Sequence, residues 1–468
     1  MKNRILVALG ASAVLALPAA LCPSVVWAQS AASQAPTWLL DRKGAEGVGI
    51  RAGNFEIHPG VGVEGGYDSN FFRRSSTVDP TIANSPPNAP VEASGRLRVT
   101  PSISLATIGA RRLSDGQGTV RPTAHFDLQA DASYLEFFGS NTLQRNRNVS
   151  ANGRAVLQLF PGRPVGFDVD LKYTRLINPE IITGDANLAF NQDRLAAGGE
   201  FVFRPGGGAL ELRAGYRFNA NIFAQQSGFT NIAHAAVVRS RWRFTPRTSL
   251  LSEVDMQWLN YTSRGAAQAV LLNGTPVRAK AGFDGLVTDR LGLQVLAGYG
   301  GSLFDAQYAI LRQFSSVIGS ARLTWFAVGG PADPRGTLAA EATLGYSRDF
   351  APNLLGNYIQ FDRPYLEFKA NFSSRFVATL TGGLAVVSYP DLPQLANPNV
   401  LRQAAFTNFR PDVTGLLEYR LTDTIALNAT AIYSQNISDV ILQDPSTGLG
   451  FDLAWSRFEA YGGVRWFL

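Results

Sequence analysis

Thr123-Ala124-His125-Phe126-Asp127-Leu128-Gln129-Ala130-Asp131-Ala132-Ser133-Tyr134 alternates without a break. Ala124, Phe126, Leu128, Ala130, Ala132 and Tyr134 share one parity, while Thr123, His125, Asp127, Gln129, Asp131 and Ser133 share the other. Successive side chains of an extended strand point to opposite faces, so this is a strand with one apolar and one polar face; helical spacing would mix the two sets. The pattern recurs outward in both directions. Val165, Phe167, Val169, Leu171 and Tyr173 oppose Asp168, Asp170 and Lys172; Leu210, Leu212, Ala214, Tyr216 and Phe218 oppose Glu211, Arg213 and Arg217; Leu250, Val254, Met256 and Trp258 oppose Glu253, Asp255 and Gln257.

Similar windows from Phe55 onward fall near 55–67, 94–108, 123–137, 147–159, 165–176, 192–204, 209–220, 232–244, 249–261, 276–287, 291–300, 314–326, 337–348, 362–372, 376–388, 407–419, 425–434 and 453–468. Connections between them tend to alternate. Residues 68–93, 177–191, 262–275, 349–361, 389–406 and 435–452 are long, whereas 160–164, 204–208, 245–248, 288–290 and 373–375 are tight; 109–122 and 327–336 are longer than a tight turn. Dyad alternation, an even strand number and short turns on one side only mark an all-β fold, a transmembrane antiparallel β-barrel of about 18 strands, within 16–20. A propeller of this length would show a repeated motif, and none is present. The apolar face carries Tyr67, Tyr134, Tyr173, Tyr216, Trp242, Trp258, Tyr299, Tyr346, Tyr419, Tyr433 and Trp466, as an interfacial girdle requires. The last strand ends Arg465-Trp466-Phe467-Leu468, like the terminal recognition strand of outer-membrane barrels, although those usually end in Phe.

Composition agrees with that class. The 468 residues include 17% charged and 46% hydrophobic positions, with 46 Gly and a single Cys, so a disulfide scaffold, a Cys-built zinc site and a disordered chain are excluded. Residues 1–28 read as a secretory signal peptide: Lys2 and Arg4, an apolar run from Ile5 to Leu17, then Val26-Trp27-Ala28. Cleavage there removes Cys22; a lipoprotein signal acylated at that Cys is the competing reading, but Leu21 is too large to precede the cleavage. No later apolar run approaches the roughly 18 residues of a transmembrane helix. The predicted organisation is thus a signal peptide, a periplasmic segment over 29–54 and a barrel over 55–468, placed in the outer membrane among its lipid and lipopolysaccharide.

If the apolar face meets lipid, the other lines the lumen. Arg213, Arg217, Arg239, Arg241, Arg243, Glu253, Asp255, Arg278 and Lys280 are the candidate lumen-lining residues. The row Arg239, Arg241, Arg243, with Glu253 and Asp255 on the next strand, reads in two ways: a ladder bracing a wet wall, or a basic strip facing an anionic solute. Neither needs a cofactor or a metal. Only His58, His125 and His234 are available as bases, none at metal-ligand spacing, and Asp168 and Asp170 lack a convergent third group, which argues against an enzyme. Gly60-Val61-Gly62 and Gly206-Gly207-Gly208 precede no helical pattern, and the arginines are dispersed over many strands, so neither phosphate loops nor nucleic-acid binding is expected. Residues 29–54 read as a linker or as a docking peptide for a periplasmic partner. Residues 73–91, with Pro80, Pro86, Pro87 and Pro90, read as an external loop, either mobile or folded across the mouth.

Pro59-Gly60-Val61-Gly62-Val63-Glu64-Gly65-Gly66-Tyr67-Asp68-Ser69-Asn70-Phe71-Phe72, with the lead-in from Gly47 to His58, resembles the opening strand of the β-barrel porin 2 family of outer-membrane proteins. The resemblance covers residues 47–72 and is only architectural beyond them. Some members, particularly in myxobacteria, partner periplasmic polysaccharide export proteins that lack a membrane-spanning part. What this implies is a conduit for a surface or secreted polysaccharide, working with a periplasmic polysaccharide export protein; the runner-up is a general or anion-preferring diffusion porin, and a third reading is a barrel with a blocked lumen. Nothing in the sequence fixes the oligomeric state.

Overall fold

The computed structural model describes residues 49–75, 91–108, 123–144, 147–177, 191–224, 227–262, 271–304, 311–328, 339–353, 357–372, 375–393, 401–443 and 450–468. Eighteen long strands follow one another around a closed wall. They are β1 Phe55–Asp68, β2 Ser94–Thr107, β3 Ala124–Phe138, β4 Asn148–Leu159, β5 Val165–Leu176 and β6 Gln192–Phe203; β7 Leu210–Phe223, β8 Asn231–Arg243, β9 Thr248–Tyr261, β10 Gly274–Thr288, β11 Leu291–Phe304 and β12 Ser315–Val328; β13 Ala339–Asn353, β14 Asn357–Asn371, β15 Phe376–Tyr389, β16 Phe406–Arg420, β17 Ile425–Asn436 and β18 Trp455–Phe467. Each pairs antiparallel with its successor, and β1 also pairs with β18, from Gly60↔Phe467 to Asp68↔Glu459. The sheet therefore has no free long edge, the condition for a strand protein to cross hydrocarbon.

The polarity is inside out. Val238, Val317, Leu344, Leu366 and Leu417 stand half exposed or more on the outer surface, as do Tyr216, Trp242, Tyr299 and Trp325. Glu64, Glu418 and Arg465 are 1% exposed on the inner side. Such a distribution is the reverse of a water-soluble core and is that of a barrel solvated by acyl chains.

The strand count and most boundaries follow the alternation. One connection does not. Of residues 349–361, expected as a long loop, 349–353 and 357–361 instead continue β13 and β14, paired from Asp349↔Phe361 to Asn353↔Asn357. Polar Arg348 and Asp349 break the apolar rhythm there, and Pro352 reads as a turn; it lies next to the hairpin tip, where a missing ladder N–H is tolerated. Two other expected loops contain small ribbons, Leu392–Pro393 with Leu401–Gln403 and Ile441–Gln443 with Gly450–Asp452. Ile50–Ala52 folds back on Phe55–Ile57 through a turn in which Gly53 has φ +62°. The signal peptide, residues 29–48 and the proline positions of the 73–91 segment lie outside the described residues, as do 109–122 and most of 327–336.

A further departure concerns the inner face, expected to be polar throughout. Toward the long connections it is apolar. Phe71 and Phe72, following β1, pack on Leu135, Phe137, Leu143 and Ile177; Leu271, preceding β10, packs on Ala233, Leu259 and Tyr261. Ala351, Ile359, Phe361, Ala385, Val387 and Tyr389 make a third cluster. Segments that turn back into the mouth supply the apolar partners, so the inward parity there is a packing surface.

Candidate functional site

The inner wall between these clusters and the tight turns is built of ionic networks, and the first centres on Glu200. On β7 the inward positions run Arg213, Gly215, Arg217, and the register sets Gly215 opposite Glu200 of β6. A Cβ at Gly215 would lie 2.5 Å from Glu200 Cγ and 2.6 Å from the Gly199 carbonyl oxygen, so the glycine is the seat of that side chain. There the carboxylate accepts from Arg217 at 3.1 Å, lies 3.5 Å from Arg213, and accepts from Arg239 of β8, reaching across β7. Arg213 also donates to Glu211 at 2.6 Å and, across β6, to Asp168 of β5 at 2.9 Å.

A second network joins β10 to β13. Arg278 donates to Asp349 at 2.9 Å and to the Phe350 carbonyl at 2.6 Å, its guanidinium stacked 4.1 Å from the Phe350 ring centroid. Lys280 lies 3.3 Å from the same carboxylate. The β13–β14 hairpin must lean inward over β11 and β12 to make these contacts. Gly300 of β11 gives it room, since a Cβ there would come within 2.6 Å of the Phe350 ring.

The third network is the seam. Asp68 of β1 accepts from Arg457 of β18 at 2.6 Å and from Arg96 of β2; Arg96 also holds Glu459 at 3.1 Å and the Tyr461 hydroxyl at 2.6 Å. Glu64 accepts from Arg98 at 2.7 Å and from Asn428 at 2.6 Å, and Glu418 accepts from Arg465 at 2.6 Å. The Tyr67-Asp68-Ser69-Asn70 stretch is thus a clasp. Beyond Asp68, the Ser69 amide donates to the Phe458 carbonyl at 2.9 Å, and Asn70 Nδ2 donates to the Ser456 carbonyl at 3.0 Å.

The candidates named from sequence divide accordingly. Arg213, Arg217 and Arg239 join one network, and Arg278 and Lys280 another, with Asp255 at 3.9 Å from Arg278. Arg241 and Arg243 stand apart: Arg241 donates to Ser249 Oγ at 3.3 Å and Arg243 to the Gly208 carbonyl at 2.9 Å. Glu253 is opposite both Arg239 and Lys280 in register, yet both cations turn to other carboxylates. Sequence reasoning missed Asp349, hidden in an expected loop, and the central place of Glu200, for which the only signal was its position opposite the Arg-x-Gly-x-Arg spacing. Of the histidines, His58 Nδ1 lies 3.1 Å from the Leu468 carbonyl oxygen, His125 Nδ1 lies 2.8 Å from Thr107 Oγ1, and His234 lies 2.5 Å from the Tyr216 hydroxyl on the outer surface. Among the described residues no group of His, Cys, Asp or Glu is arranged to hold a metal ion.

The inner face meets water on strands well apart around the ring. Arg154, Asp170 and Lys172, all on the inward parity of β4 and β5, are exposed, as is Arg322 of β12. Charged side chains that meet solvent inside a closed wall require water in the lumen.

No family model matches the sequence, and no curated protein does. Among solved structures, the copper transporter OprC aligns over 90% of this chain and 81% of its own, at 10% identity and a TM-score of 0.40. The open form of the ferric-catecholate import receptor Fiu from E. coli K12 aligns over 90% and 78%, at 9% identity and a TM-score of 0.40. OccAB4 of Acinetobacter baumannii aligns over 88% and 98%, again at 9% identity and a TM-score of 0.40. At these values the likeness is that of one large β-barrel to another.

Proposed function

We propose that this chain is an outer-membrane channel serving as a conduit for export of a surface or secreted polysaccharide. The observation that carries the channel reading is the closed wall with exposed charges on its inner side and an apolar belt outside: a hydrated passage through a hydrocarbon-facing cylinder. The polymer rests on the resemblance of residues 47–72 to the porin 2 family. A hydrated sugar chain needs weak, replaceable polar contacts, and a wall whose arginines are mostly neutralised by neighbouring carboxylates offers them without a deep electrostatic trap. Export would engage a periplasmic polysaccharide export protein, with residues 29–54 as the docking segment.

The test is surface polysaccharide on cells lacking this protein and on complemented cells. Loss restored by complementation is the expected result; unchanged polymer would reject the conduit. A second reading, a diffusion porin for small solutes with some anion preference, draws on the inward lean of the β13–β14 hairpin and of Leu271–Leu272, whose Leu272 amide donates to Asn357 Oδ1 at 3.0 Å. Such a narrowed mouth suits small solutes. It predicts unchanged polymer together with a small, stable single-channel conductance.

A further inference from the structure

Arg154 and Lys172 stand outside the three ionic networks, and they face each other. The register places them directly opposite each other on β4 and β5, both inward and both exposed, and neither makes a hydrogen bond or an ion pair among the described residues. By contrast Arg213, Arg217, Arg239, Arg278 and Arg363 each hold a carboxylate. Like charges directly opposite on a sheet repel. Asp127 acts on Arg154 only from beyond ion-pair distance, so the facing cations present an electrostatic opening for an anion arriving from the lumen.

The surroundings restrict what that anion is. Lys172 is opposite Ala196 of β6, and Ala196 is opposite Asn219 of β7. One rung toward the tight turns, Asp170 is opposite Gly198, and a Cβ on that glycine would lie 2.6 Å from Asp170 Oδ1. The floor beside the two cations is therefore low, made of Ala196 and Gly198, and is rimmed by Asn219 and by a carboxylate that has no ion pair of its own. Asp170 would repel a bare polyvalent anion such as phosphate. It would accept hydrogen bonds from hydroxyl groups. We infer that the Arg154–Lys172 face is a wall subsite for a hydroxylated carboxylate, that is, a uronic-acid unit: its carboxylate lies on Arg154 and Lys172, and its ring hydroxyls donate to Asp170 and meet the Asn219 amide. This assignment rests on the conduit reading and names its substrate class as an acidic polysaccharide.

The experiment uses the full chain, purified and reconstituted in planar bilayers, with oligogalacturonate, an uncharged malto-oligosaccharide of the same length, and inorganic phosphate as the three probes of ion current. Oligogalacturonate is expected to interrupt the current at concentrations about tenfold below those needed for the malto-oligosaccharide, the size of effect that one charge-assisted contact confers. The double variant Arg154→Gln/Lys172→Gln should abolish that tenfold difference, and Asp170→Asn should make phosphate the better blocker. Heat-modifiable gel mobility verifies that each variant has closed, and the comparison of probes on the unaltered protein needs no variant. Equal interruption by both sugars, a preference that survives the double substitution, or interruption by phosphate equal to that by oligogalacturonate in the unaltered channel would overturn the subsite while leaving the conduit standing. A conducting channel that neither sugar interrupts would overturn both.

Discussion

Glu200 shows how much one carboxylate does in this wall. Three guanidinium groups, Arg213, Arg217 and Arg239, converge on it, and its side chain is 5% exposed. Neutralising it by Glu200→Gln should release three cations toward the lumen. The expected outcome is a higher anion-to-cation permeability ratio in bilayer recordings and a loss of about 1–3 kcal/mol in unfolding experiments, the cost of leaving charged donors without their acceptor. Arg239→Gln should change selectivity less than Arg241→Gln/Arg243→Gln, because Arg239 is held in an ion pair with Glu200 and the latter two are in none among the described residues; equal shifts would reject the division of the row. Gly215→Ala tests the seat beneath Glu200. Its methyl group has no space, and a destabilisation of about 1–3 kcal/mol is expected from overpacking, read as a lower temperature of the heat-modifiable transition. Parity was legible at this scale, partners were not: alternation shows that Arg239 points inward, and its cross-strand neighbour Glu253 is the obvious mate. A curved wall, however, brings alternate strands within reach of a long side chain, and a glycine on the strand between decides which carboxylate is met.

Among the elements, the β13–β14 hairpin is the one whose geometry departs most from the sequence reading. Its alternation fades where it leaves the membrane belt, since neither face of the extension meets lipid, and so the pattern that locates every other strand stops short of Asp349. Removing the latch by Asp349→Ala should free the hairpin from Arg278 and Lys280. Single-channel conductance is expected to rise and become noisier, while unchanged conductance would mean that the hairpin does not narrow the path. The seam allows an independent test. Asp68→Ala leaves Arg96 and Arg457 with Glu459 as their one remaining shared carboxylate, a loss of about 1–3 kcal/mol for a buried charged acceptor, and the folded, heat-modifiable form should be less abundant in membranes. The sequence marked Tyr67-Asp68-Ser69-Asn70 as notable through resemblance alone; the clasp explains why Asp and Asn in particular stand at the end of a first strand that must find the last.

At the scale of the whole molecule, fold class followed from a period of two sustained along the chain, because a bilayer forces every strand to declare an outer face. The lumen is less constrained. Inward positions serve as water-facing wall, ionic brace or apolar packing surface according to which connection folds over them, and connections carry no comparable rhythm. Deleting residues 29–48 should leave the barrel assembled, with surface polysaccharide lost if that segment docks an export partner; full export by the truncated chain would reject docking.

The lining is uneven around the ring. Inward side chains of β1, β2 and β16 to β18, such as Glu64, Arg98, Glu418, Asn428 and Arg465, are buried, whereas those of β4 and β5, Arg154, Asp170 and Lys172, meet water. With Arg322 of β12 also exposed, the passage is eccentric, displaced from the seam toward the wall that runs from β4 to β12. A threadlike solute drawn through it would ride like a rope in a pulley groove, with successive units meeting the same rungs in turn, so its progress would be paced by the chemistry of that wall and would be indifferent to the seam.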